Sequence, residues 1–139
     1  MNQEILKMMT RAIQCFQSEN YNEAESLLSQ VLKLQPKNFD ALHISGAIKG
    51  LKNQHQEALE FFRKALRIDP NSSWLNFNIA KAFSEIGQED KALKYHWNAT
   101  KLNPSHPEAW LNFGKSLLNL KKPKEALDCL LKAVDLRPD

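Results

Sequence analysis

A chain of 139 residues is long enough for one domain with a buried core, provided its elements pack in two layers. Hydrophobic residues make up 42% and charged residues 25%, and only four glycines are present, which argues against a turn-rich all-β fold and favours helix. Nineteen basic against sixteen acidic residues leave a net charge of +3 with no long basic run, so nucleic acid is not an expected partner.

The apolar periodicity predicts paired helices along the chain. The first pair covers 3–17 and 21–34, with Ala12 and Ala24 inside it and Pro36 after it. Glu4, Lys7 and Arg11 interrupt its apolar residues, so this stretch does not read as a signal peptide, and no later stretch approaches a membrane span. Helices at 38–51 and 55–68 follow, with Gly46, Ala58 and then Pro70, and with Ser45 and Lys49 in columns that face the core. The third pair, 72–85 and 89–101, holds Ala80 and Ala92, turns at Gly87 and stops before Pro104. The last pair, 105–119 and 123–136, holds Gly114 and Ala126 and stops before Pro138. Ser105 and Glu108 have capping-box spacing, and Pro123 suits a first helical turn.

Pro36, Pro70, Pro104 and Pro138 therefore recur every 34 residues, in step with a column of alanines and a column of alternating alanine and glycine. A proline ends the second helix of each unit because it lacks the N–H that the ladder needs. Short side chains let the two helices of a unit approach closely. Each hairpin leaves an apolar face that its neighbour covers, so the expected core runs along the array as a single domain.

These columns resemble the tetratricopeptide repeat family, whose 34-residue unit is a helix-turn-helix. In that register the repeats run 5–38, 39–72, 73–106 and 107–139, and the last, with Pro107-Glu-Ala-Trp110-Leu-Asn-Phe-Gly114, is the most typical. The first departs most, with Arg11 at a usually apolar place, so the early repeats are expected to pack less tightly. The resemblance implies an all-α, right-handed superhelix of four hairpins whose first helices line a concave surface that holds a peptide or partner protein. The stripe that would face it contains Met9, His43, Trp74, Phe77, Asn78, Lys81, Leu111, Asn112 and Lys115. Trp74 and Phe77 offer aromatic area, Asn78 and Asn112 can bond both groups of a peptide backbone, and Lys81 and Lys115 supply charge one repeat apart. An extended acidic or aromatic-containing segment suits that surface. Trp74 has an alternative role in padding the junction with the second repeat, and paired lysines on a helix are commonly just solvated.

Co-chaperone repeats of the same family clamp a terminal carboxylate with lysine, asparagine and arginine. Met9 with Ile13, His43 with Ala47 and Phe77 with Lys81 stand where that clamp wants its leading residues, so chaperone-tail binding is disfavoured. The segment Asp40-Ala-Leu-His-Ile-Ser-Gly46, with Asn78 and Asn112, looks more like the arrays fused to bacterial O-linked N-acetylglucosamine transferase-like enzymes. Thr10 and Ile44 break the asparagine ladder of those arrays.

No phosphate loop, nucleophile elbow or metalloprotease motif occurs, so the chain is not expected to be an enzyme or to carry a cofactor. His43, His55, His96 and His106 lack metal-ligand spacing with the cysteines and carboxylates, and no metal is expected. Cys15 and Cys129 read as two reduced thiols of a cytoplasmic protein, with Cys15 in a core-facing column rather than acting as a nucleophile. Leu127, Leu130, Leu131 and Val134 would leave an apolar end, which a second copy or further repeats of a longer protein would cover. The expected function is a scaffold for a protein or peptide, with the substrate-positioning arm of a larger enzyme, such as a glycosyltransferase, as the alternative.

Overall fold

The computed structural model describes residues 2–137. They form eight helices: α1 (Asn2–Gln17), α2 (Tyr21–Leu34), α3 (Phe39–Leu51), α4 (His55–Ile68), α5 (Ser73–Glu85), α6 (Glu89–Leu102), α7 (Pro107–Asn119) and α8 (Pro123–Leu136). Pro138, the last of the proline column, lies outside the described residues. The helices pack into two compact units, Met1–Asp69 and Pro70–Asp139. In the first, α1 packs on α2, α2 on α3 and α3 on α4. In the second, α5 packs on α6, α6 on α7 and α7 on α8, and α5 also meets α7.

Within each hairpin a small residue on the first helix faces a large one sixteen positions later. A Cβ added at Gly46 would lie 2.4 Å from the Phe62 ring, and one at Gly114 would lie 2.8 Å from Leu130. The same register pairs Ala12 with Leu28 and Ala80 with His96, all four buried. The glycines and alanines thus set how near the helices come, which is what lets Leu28, Phe62 and His96 reach almost complete burial.

The turns inside the hairpins share one conformation. Glu19, Asn53, Gly87 and Lys121, again 34 residues apart, all have φ between 62° and 79°. Only glycine takes this left-handed region without a Cβ penalty. Lys121→Gly is accordingly expected to stabilise the second unit by roughly 1 kcal/mol, because relief at the turn outweighs the added freedom of the unfolded chain. Urea unfolding checks it: a midpoint that fails to rise contradicts the argument.

One local expectation changes. The capping box at Ser105 and Glu108 does not form, because α7 begins at Pro107 and puts His106 at the N-cap, leaving Ser105 N–H bonded to Asn103 Oδ1 at 3.2 Å. Arg11 is not drawn into the core; its guanidinium reaches Glu23 at 2.7 Å on the surface. Cys15 is half-buried and packs against the core of the first unit, with its Sγ 3.5 Å from Glu23. Cys129 is buried, and loss of solvent, aided by Asp128 and Glu125, pushes its thiol up to about 11. A thiol held that far from its thiolate is a packing group rather than a nucleophile.

Candidate functional site

In the second unit, α5 presents Trp74, Phe77, Asn78 and Lys81 along one stripe, and α7 beside it presents Leu111, Asn112 and Lys115. Trp74 leaves 55% of its surface open to solvent, whereas Phe77 is 3% exposed. Phe77 therefore acts from beneath. Its ring meets Trp74 edge-on at 5.6 Å and also supports Lys81, whose Nζ lies 5.4 Å from the ring centroid. His106 completes the cluster, with ring centroids 4.7 Å from Trp74 and 4.8 Å from Phe77. An exposed indole in contact with two supporting rings has fewer rotamers open to it than a free one, which lowers the entropy cost of using it.

The backbone leading into α5 is fixed by Asn76. This residue is fully buried, donates through Nδ2 to the carbonyls of Pro70 (3.2 Å) and Ser72 (2.9 Å), and accepts from Asn98 Nδ2 at 3.3 Å. Ser72 caps the helix by accepting from the Leu75 N–H at 3.2 Å. Leu111 and Lys115 are exposed on α7, with Asn112 half-buried between them. Trp110, one position before Leu111, is turned away from this role and donates its Nε1–H to the Pro104 carbonyl at 2.8 Å.

His106 is absent from the predicted stripe because it belongs to a loop column. Asn38 and Ser72 hold the same register place and both cap a helix through the side chain, Asn38 by accepting from Ala41 N–H at 2.9 Å. His106 makes no such cap. A capping column broken by an aromatic ring is the signal that would have found it.

The first-unit members of the stripe differ. Met9 is 8% exposed and sits in the core with Ala12, Leu28 and Val31, so it offers no surface to a partner. Ala24, Leu28 and Val31 of α2 and Ala41 and Ile48 of α3 share that core with it. His43 lies between Phe39 and Phe62, each 5.9 Å away and close to edge-on, and burial holds its imidazole below the ordinary range, with Asp40 opposing. It is an aromatic filler at neutral pH. Among the described residues no group of three or more His, Cys, Asp and Glu stands close enough to hold a metal, and no helix is long and apolar enough to cross a membrane.

Known proteins match the chain in sequence and in fold. The family model for tetratricopeptide repeats matches residues 11–73, and that for subunit 3 of the anaphase-promoting complex, or cyclosome, matches residues 51–133. A small glutamine-rich tetratricopeptide repeat-containing protein 2 from Mycosarcoma maydis is 35% identical over 81 residues, which cover 58% of this chain and 23% of that protein. The human protein O-mannosyl-transferase TMTC3 is 36% identical over 92 residues, covering 65% of this chain and 10% of the transferase. Among solved structures, YrrB, described as a TPR protein with an unusual peptide-binding site, superposes with a TM-score of 0.81 at 25% identity over 92% of this chain and 66% of its own. MamA gives a TM-score of 0.86 at 16% identity over 94% of this chain and 77% of its own, a likeness of fold. The chain spans about a quarter or less of the curated relatives' lengths.

Proposed function

We propose that this chain, which belongs to the tetratricopeptide repeat family, holds an extended peptide segment of a partner protein against the first-helix face of its second unit. Members of the family serve generally as scaffolds for protein contacts, and the peptide site named for YrrB agrees with that role. One observation supports the location: Trp74 is more than half exposed yet braced by Phe77 and His106. Such a ring gives a partner a preformed apolar anchor of the kind that dominates interface energies. Asn78 and Asn112 suit backbone groups of an extended segment, and Lys81 and Lys115 favour carboxylates along it. The predicted residues Phe77, Met9 and His43 do not serve as contacts in this reading, since all three are occupied with internal packing.

Twelve-residue random peptides displayed on phage and selected on the whole chain supply ligands for the test. Trp74→Ala is expected to weaken a family of the selected peptides by roughly tenfold to a hundredfold, and Lys81→Glu/Lys115→Glu to weaken the same family. Selected peptides that are all indifferent to these variants would overturn the site.

A second reading rests on the transferase relatives, in which this array matches about a tenth of the chain. There the same surface would position a protein substrate for chemistry carried elsewhere in a longer polypeptide. Recognition by this unit is common to both readings.

A further inference from the structure

The first unit holds a groove of about 650 Å³ between α2 and α4, with α3 as its floor. Its lining includes neither His43 nor Ala47 of the first-helix stripe, and the floor is made by Leu42, Ser45 and Lys49. Phe61 and Leu32 form apolar walls, while Lys33 and Lys64 stand at the rim, both exposed.

The repeat itself explains why the space exists. Two repeats later, the places of Glu25, Leu42, Ser45 and Lys49 are taken by Leu93, Trp110, Phe113 and Leu117. Those four pack together with Cys129 into a closed core cluster. The first unit has a carboxylate, a hydroxyl and an ammonium where the second has apolar bulk. Glu25 is already spoken for: Lys49 reaches it at 3.1 Å and Lys52 also pairs with it. Burial works to raise the Glu25 carboxyl, but the hydrogen bonds from Lys52 and Lys49 outweigh it and hold the group ionised below its ordinary range. Lys49 also reaches Glu57 at 3.6 Å, so Lys49 and Lys52 are matched by Glu25 and Glu57, and the groove keeps the positive charge of Lys33 and Lys64 at its rim above an apolar wall.

We infer that this groove is a second peptide-binding site, on the second-helix side of the first unit, for an acidic segment that inserts a leucine- or phenylalanine-sized side chain between Leu32 and Phe61. The carboxylates of the segment lie along Lys33 and Lys64, and the serine hydroxyls of Ser26, Ser29 and Ser45 satisfy its polar groups. This site is independent of Trp74.

The same phage selection tests it when run on two further variants. Ser45→Phe/Lys49→Leu installs the residues that the chain carries two repeats later and fills the groove. Lys33→Glu/Lys64→Glu alters only exposed side chains and leaves the fold intact by circular dichroism. A class of peptides rich in Asp and Glu beside Leu or Phe is expected to bind the parent chain and Trp74→Ala alike. That class should weaken by roughly tenfold or more on charge reversal, and bind less tightly as salt rises. If no selected peptide distinguishes the parent from both variants, or if those that do are not acidic, the groove is not a binding site. Loss on Trp74→Ala alone would leave the first-helix reading standing and refute this one.

Discussion

Gly46→Ala is expected to destabilise the first unit by roughly 2 kcal/mol, and Phe62→Leu in the same chain to recover much of that loss. The added methyl would lie 2.4 Å and 2.6 Å from two atoms of the Phe62 ring and 3.1 Å from the Ala58 carbonyl. Phe62 is 2% exposed, so its ring has nowhere to move, and the helices must separate instead. Leucine at position 62 with alanine at 46 reproduces the Ala12 and Leu28 pair that the first repeat already packs without solvent exposure. Phe62→Leu alone should cost roughly 1 kcal/mol for the space it leaves, so the cycle should show coupling of at least about 1 kcal/mol. Gly114→Ala should be milder, since the nearest atoms belong to Leu130, a half-buried and more flexible side chain. Additive losses in the Gly46/Phe62 cycle, measured by urea unfolding, would show that the two positions do not set the helix spacing.

His96 makes the second unit acid-sensitive. Its ring stacks on Phe113 at 5.8 Å, is 2% exposed and leaves Nδ1 without a hydrogen-bond partner. Burial lowers its pKa from 6.5 to about 4, with Glu89 opposing. Above pH 6.5 the imidazole is neutral in both folded and unfolded chains and nothing is lost. As the pH falls from 6.5 towards 4 the unfolded chain takes a proton that the folded one refuses, and stability drops by about 3 kcal/mol in total. Glu89 acts in the same direction at lower pH. Burial alone would raise its carboxyl, but it accepts from Ser84 Oγ at 2.6 Å, Ser116 Oγ at 2.9 Å and Asn119, and these hold it below the ordinary range. His96→Leu puts at this place the residue that Leu28 and Leu130 supply in other repeats. It should remove most of the slope between pH 6.5 and 4 in this unit and raise stability at pH 7 by about 1 kcal/mol, because no orphaned nitrogen remains. His43, also held low by burial, leaves a residual slope of the same sign in the first unit. Unfolding measured at pH 7.5, 6, 5 and 4.5 decides the matter: an unchanged slope in the variant would mean that His96 is not the buried base.

The eight helices are legible in the sequence to within two residues, because proline, small-residue and apolar columns repeat every 34 positions and each has a local physical meaning. What lies between the columns is less legible. Met9 and Phe77 occupy the stripe predicted to face a partner, but periodicity gives a direction around the helix and says nothing of how deeply the neighbouring helix covers it. His106 was hidden because it sits in a loop, where no stripe passes. The groove of the first unit is partly legible: Ser45 and Lys49 in core-facing columns foretell loose packing, but the ion pairs of Lys49 and Lys52 with Glu25 follow from how α2 packs on α3, which periodicity does not specify.

The longest side-chain links described above join residues only about thirty positions apart, as Trp74 to His106 and Asn119 to Glu89 do. Folding such a chain closes no large loop, so each hairpin can form on a local search and its order of appearance need not follow the order of synthesis. Proteins built this way tolerate gain or loss of whole repeats during evolution, because insertion at a repeat boundary breaks no contact that the next repeat does not restore.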